Sequence, residues 1–210
     1  IVIWGNRDDA LFQVNIVATG WDADGMKRNV PQRDITDFRN YGLDQIPFLT
    51  QYVLSNIFYI KGDTPSAIEI LDAALLSAKN QKWATEAGMD NPDVYFLLGT
   101  FYQDDAHRAS DLEKAIKAYN EAIQLNSKFE QAYLNRAGVW LELGKYAEAI
   151  SDCTFLIENK SFLTPFAYLI RAQAQSNRIE SEKDFELALT YPIPGVMTHQ
   201  LRGETRLNKW

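Results

Sequence analysis

Cys153 is the sole cysteine of the 210-residue chain, and a thiol acts as nucleophile or metal ligand only as the thiolate, which needs a histidine, a cation or a metal beside it. It falls at an apolar position of a helical pattern, "ISDCTFLI", with no histidine at a recognisable spacing, so core packing is the expectation. His107 follows Asp104 and Asp105 in "YQDDAHRAS", three groups able to hold a cation. Two histidines in the whole chain and no cysteine near this one argue against zinc; a solvated turn is expected. His199 stands at a large-residue place of another helical pattern and is expected to pack. "DADG" from Asp22 begins like a calcium loop but lacks the third acidic ligand, the later Gly and the closing Glu. "GVWLELGK", Gly138 to Lys145, has one residue too many between its glycines for a phosphate loop and no Ser or Thr after the Lys. "NKS" at Asn159 is a formal glycosylation acceptor, meaningful only in a eukaryotic secretory setting. These residues assemble no catalytic set, no metal site and no cofactor motif, so the chain is expected not to be an enzyme.

Bulk properties narrow the remaining classes. Apolar residues make up 46% and charged residues 23%, the balance of an ordinary globular protein. No run approaches the ~18 apolar residues of a membrane helix, and no signal peptide is legible. The opening "IVIWGNRDD" has no initiator Met and is already strand-like, which suggests a piece of a longer protein. The net charge is −7. Residues 1–105 hold 8 basic and 15 acidic side chains and residues 106–210 hold 13 of each, so no positive stripe exists to displace counterions from phosphates. Neither nucleic acid nor membrane insertion is expected, and one cysteine fits a reducing, cytoplasmic setting.

The elements that carry these residues repeat. "AYLNRA" from Ala132 and "AYLIRA" from Ala167 lie 35 residues apart. Their small residues, Ala137 and Ala172, have counterparts in Gly99 of "YFLLGTFY" and Ser55 of "YVLSNIFY". A second signature follows each: Ala67/Leu71/Ala74, Ala115/Tyr119/Ala122, Ala149/Cys153/Leu156 and Ser181/Phe185/Ala188. Spacing of i, i+3, i+4, i+7 with a turn midway makes each unit a helical hairpin. Gly144 in "LGKYAEA" and Gly62 in "IKGDTPSA" mark turns, with Asp63 or Thr64 as cap and Pro65 in the first helical turn. The small markers are expected where two helices cross closely.

This pattern resembles the tetratricopeptide repeat, a helix-turn-helix unit of about 34 residues. Residues 130–163 fit best, with Tyr133, Ala137, Trp140, Gly144, Tyr146, Ala149 and Leu156 at matching places and Cys153 where an aromatic is usual. The resemblance implies a mainly α, superhelical array of hairpins at 48–81, 92–129, 130–163 and 165–192. The second unit carries some four extra residues between its helices, and the fourth has a shortened turn near "SNRIES". "KNQKWATEAGMDNP" is long for a connection, implying extended helices. "HQLRGETRL" repeats the hexamer logic, with Arg202 and Gly203 in place of Arg171 and Ala172, so 193–210 reads as a truncated fifth repeat or capping helix. Residues 1–47 differ: "IVIW" and "LFQVNIVA" around a "GNRDD" turn suggest a β-hairpin, read as the remnant of a preceding domain.

In the family that the chain resembles, the first helix of each unit lines a concave groove. Carried over by position, the groove would take Tyr52, Asn56 and Tyr59 from the first unit and Phe96, Thr100 and Gln103 from the second. The third unit would add Leu134, Asn135, Gly138 and Glu142, and the fourth Leu169, Ile170 and Gln173. Almost none is charged, which suits a helix or extended peptide with apolar anchors. The implied function is a non-catalytic protein-protein interaction module. The alternative is a regulatory or sensor array controlling a neighbouring effector domain. One subtype of the family grips a terminal carboxylate with Lys, Asn, Asn, Lys and Arg. Here those places hold Phe96, Thr100, Asn135, Phe166 and Ile170, so one of five remains and the clamp is not expected. Arg136, Arg171 and Arg202, each one place before a small marker, read as surface salt-bridge partners beside the groove.

Overall fold

The computed structural model describes the backbone of residues 2–8 and 11–17 and the whole of 47–78 and 91–191, with helix backbone from 46 to 79. It divides into two units, Ile1–Asp105 and Ala106–Trp210.

In the first unit, strands β1 (Val2–Asp8) and β2 (Leu11–Val17) pair antiparallel, from Val2 opposite Val17 to Asp8 opposite Leu11. Gly5 to Asp8, expected in the turn, belong to β1 instead. Their backbone continues the ladder, and the chain reverses between Asp8 and Leu11 over two residues, the favoured hairpin length. Helix α1 (Ile46–Ile60) ends at Gly62, whose φ of +83° is costly for any residue with a side chain. Asp63 then accepts the Ser66 N–H at 3.2 Å, capping α2 (Thr64–Lys79). Helix α3 (Pro92–Asp104) starts in the same manner: Asn91 accepts the Asp93 N–H at 2.9 Å, and Pro92 occupies a first-turn position where its missing N–H costs nothing. The rings of Tyr59 and Phe101 lie 4.5 Å apart, and the Tyr102 hydroxyl donates to Asp72, joining α3 to α1 and α2. Buried Phe48, Leu71, Leu98 and Phe101 form this core. The long connection at 80–90 lies outside the described residues.

The second unit holds α4 (Ala109–Leu125), α5 (Glu130–Glu142), α6 (Tyr146–Glu158), α7 (Thr164–Ala174) and α8 (Arg178–Thr190). Gly144, at φ +69°, turns α5 into α6. Ala137, Cys153, Leu156 and Ala167 form one buried cluster, so α7 packs on the α5/α6 pair. Leu169, Ala172, Phe185 and Ala188 form the next, inside the α7/α8 pair. The small markers are buried throughout: Ser55, Ala137 and Ala172 expose 0%, 0% and 2%, and Gly99 is buried in α3. Close helix crossings require this, because a larger side chain would hold the backbones apart.

Two length changes lie elsewhere than expected. The extra residues after α3 add one position to the turn, 105–108 against 143–145, and three to the start of α4. Ala115 is accordingly the seventh residue of its helix, where Ala149 is the fourth of α6. The fourth hairpin is shortened in helix α7 and not in its turn. Five helical residues follow Ala137 in α5, but two follow Ala172, because Gln175 is already extended and Asn177 caps α8 through the Ile179 N–H at 3.0 Å. Among the described residues no helix is long and apolar enough to cross a membrane. Asp22, His199, Arg202 and the expected fifth repeat lie outside the described residues.

Candidate functional site

Positions in a helix that face away from its own hairpin core are free to meet a ligand, and the structure places each expected groove residue with respect to that core. On α1 and α3, Tyr52, Asn56, Tyr59, Phe96, Thr100 and Gln103 are all half-buried. Several polar ends are occupied. The Asn56 amide donates to the Tyr52 carbonyl at 2.7 Å, and the Thr100 hydroxyl donates to the Phe96 carbonyl at 3.0 Å. The Tyr59 hydroxyl donates to Asp104.

In the second unit, Leu134 and Ile170 both pack against the cluster of Ala137, Cys153, Leu156 and Ala167, which brings these α5 and α7 residues to one place. The Asn135 amide donates to the Tyr119 hydroxyl at 3.3 Å, and Tyr119 is fully buried. A buried phenol needs a polar partner, so part of Asn135 serves the core. Gly138 lies mid-helix, yet a Cβ built there would meet nothing within 4 Å. Nothing in the described packing therefore requires glycine, and the position opens onto space. Glu142 and Gln173 are exposed. Leu169 departs from its expected place: it is 8% exposed and sits with Phe185 and Ala188 inside the α7/α8 pair. Ala172, three positions on, shares its helix face, and that face turns toward α8.

The arginines also depart from the sequence reading. Arg136 and Arg171 are not surface partners. Arg136 donates twice to Asp152, at 2.8 and 2.6 Å, and once to Asn120 on α4 at 2.6 Å, with its guanidinium 5.3 Å from the Tyr133 ring. Arg171 repeats this with Asp184 at 2.7 and 2.9 Å, Thr154 on α6 at 3.3 Å and Tyr168 at 5.3 Å. Asp152 and Asp184 are 6% and 3% exposed, so each guanidinium satisfies a carboxylate that has left water. Each Asp directly precedes a core residue, Cys153 or Phe185, but nothing in the spacing names its arginine.

The reactive candidates fall away on physical grounds. Cys153 is fully buried, and burial first, then the neighbouring Asp152, pushes its thiol up to about 12. The thiolate that nucleophilic chemistry needs is thus strongly disfavoured. His107 is exposed in the 105–108 turn, and among the described residues no group of His, Cys, Asp and Glu is arranged to hold a metal. The stretch from Gly138 runs as helix to Glu142 before its Gly144 turn, which leaves no loop to cradle phosphate. What the expected groove positions of α5 and α7 offer is apolar surface from Leu134 and Ile170, the Asn135 amide and the open position at Gly138.

No family model matches the chain. Among curated proteins it is similar to Hsp70-Hsp90 organizing protein 1 of Arabidopsis thaliana, 32% identical over 90 residues that cover 40% of this chain and 16% of the relative. It is also similar to Translocon at the outer membrane of chloroplasts 64 of Pisum sativum, 44% identical over 52 residues, 25% of this chain and 9% of the relative. The chain thus spans less than a fifth of the length of these curated relatives. Among solved structures it is similar to a tetratricopeptide repeat protein from Parabacteroides merdae ATCC 43184, with 26% identity and a TM-score of 0.57, covering 78% of this chain and 61% of that one.

Proposed function

We propose that this chain, whose helical pairs are tetratricopeptide repeats, is a non-catalytic protein-interaction module that takes an uncharged, apolar-anchored peptide segment against α5 and α7. Gly138 carries this reading. A glycine in a helix interior costs roughly 0.5–1 kcal/mol against Ala, and here no neighbouring atom lies within 4 Å of where its Cβ would stand. The cost has no return in the described packing. A ligand approaching the helix closely is a role that such a vacancy suits, with Leu134 and Ile170 as apolar floor beside it.

The name of the Arabidopsis thaliana relative joins that protein to Hsp70 and Hsp90, which raises the question of a chaperone tail as ligand. Such a tail's carboxylates need cations, since a carboxylate set against apolar groups loses its hydration without compensation. This chain has Phe96, Thr100, Phe166 and Ile170 at four of the five matching places, and the remaining Asn135 already donates to Tyr119. A ligand without terminal carboxylate recognition fits these residues better.

The test is a displayed library of 12-residue peptides panned on the whole chain, with Gly138→Leu as the control. Leucine adds bulk to the open site and removes the glycine cost, so its unfolding midpoint is expected to hold or rise. Enrichment of apolar peptides on the native chain and not on Gly138→Leu is the expected result. Equal enrichment on both would remove α5 from the binding surface.

A further inference from the structure

Helices α5 and α7 carry four charged side chains, Glu130, Arg136, Glu142 and Arg171, and the fold engages three of them. Arg136 and Arg171 hold the buried Asp152 and Asp184, and Glu130 accepts the Ser161 hydroxyl at 2.8 Å. Glu142 is exposed and has no hydrogen bond or ion pair among the described residues.

The turn of the helix says where Glu142 stands. Successive residues are about 100° apart around the axis, so Gly138, Glu142 and Asn135 lie at about 40°, 80° and 100° from Leu134. Leu134 packs against the cluster that α5 shares with α6 and α7, and Asn135 donates to Tyr119 on α4. Gly138 and Glu142 therefore occupy the arc between these two neighbours, and the space where a Gly138 Cβ would stand is open. Four residues along a helix span about 6 Å. A carboxylate, which accepts hydrogen bonds and donates none, thus lies one turn beyond an opening edged by Leu134.

A side chain that covers Gly138 and ends at Glu142 needs an apolar body and a hydrogen-bond donor at its tip. Phe, Leu and Ile lack the donor. Tyr and Trp have it, and they bring a wide apolar surface on two rotatable bonds. Lys and Arg have it too, but an exposed ion pair is worth little and a long stem loses more rotamer freedom when held. The phenol-to-carboxylate pairing already joins helices of this chain: the Tyr59 hydroxyl donates to Asp104, and the Tyr102 hydroxyl to Asp72.

We infer, given the peptide site proposed above, that its ligand is anchored by a tyrosine or tryptophan whose ring covers Gly138 and whose O–H or N–H donates to the Glu142 carboxylate. A neutral donor fits a face whose cations are committed elsewhere and whose one remaining charge is an acid.

The displayed library is panned on the whole chain and on Glu142→Leu, and the strongest native binder is resynthesised with its anchor changed to Phe. Tyr or Trp is expected at a fixed position of the native binders. The Phe peptide is expected to bind the native chain about tenfold more weakly, the low end for a hydrogen bond to a charged group because Glu142 is exposed. On Glu142→Leu the two peptides are expected to bind alike. Equal affinity of both peptides for the native chain would overturn this anchor and leave the peptide site standing, as would native binders that carry Lys, Arg or an aliphatic residue there. A library that enriches no peptide over the Gly138→Leu control would remove the site and the anchor together.

Discussion

Arg136→Leu is the sharpest test of how the hairpins are joined, because two readings of one residue differ by a large factor. A solvent-exposed ion pair is worth ~0–1 kcal/mol, since water screens it and two long side chains must be ordered. The Arg136 and Asp152 side chains are 17% and 8% exposed, and the pair is bidentate. Removing the arginine strands a carboxylate in the interior, a cost of about 3–5 kcal/mol. Loss of the Tyr133 contact adds ~0.5–1 kcal/mol. The thiol of Cys153, adjacent in sequence and 0% exposed, supplies a local probe: a disulfide reagent can reach it only when this part of the array opens. If opening is rapid relative to labelling, 3–5 kcal/mol corresponds to acceleration between about a hundredfold and a few thousandfold. Asp152→Asn leaves a neutral acceptor and is expected to cost less, ~1–3 kcal/mol. Replacing both residues by Leu is expected to be milder than Arg136→Leu alone, because no unpaired charge remains. Acceleration below about fivefold in Arg136→Leu would refute the reasoning and return the pair to the surface class.

Two further outcomes follow from the same geometry. The Cys153 thiol rises from 9.0 to about 12 on folding, so its contribution to stability is complete below pH 9 and is lost as pH climbs toward 12; urea titrations are expected to show a slope of ~1.4 kcal/mol per pH unit there that Cys153→Ala lacks. Identical slopes in the two proteins would contradict it. Uncharged peptides bound on the α5 and α7 face, where Glu142 is the one charged groove candidate, are expected to change affinity less than about twofold between 0.05 and 0.5 M salt, because long-range attraction between exposed charges is what salt screens. Fluorescence anisotropy reads this directly, and a tenfold loss would place charged contacts in the site.

The features legible in the sequence are those written in residue size and period. Ser55, Gly99, Ala137 and Ala172 are small for a steric reason that does not depend on the rest of the fold, and all four are buried. Gly62 and Gly144 are likewise local, since a left-handed turn residue needs no distant partner. Leu169 and Ile170 show where this legibility ends. Adjacent helical residues differ by about 100° around the axis, so a position rule with a tolerance of one residue names both. The structure gives Leu169 to its own hairpin and Ile170 to the α5/α6 junction. The arginine partners are harder still, because Asp152 lies 16 residues from Arg136 on another helix and Asp184 lies 13 from Arg171. No periodic signal spans two helices joined by turns of unequal context.

Where the charge resides has a consequence for recognition. Arg136 and Arg171 are turned inward against Asp152 and Asp184 and hold neighbouring helices together, so they are not available to a ligand's carboxylate without breaking a buried pair. Among the expected groove residues of α5 and α7, Glu142 and Gln173 are exposed and Gly138 has open space where a Cβ would stand, so the one charge among them is an acid. If the α5 and α7 face holds a ligand as proposed, these committed cations leave shape, apolar fit and amide hydrogen bonds to select it, which would reward a segment of defined side-chain spacing over one of defined charge.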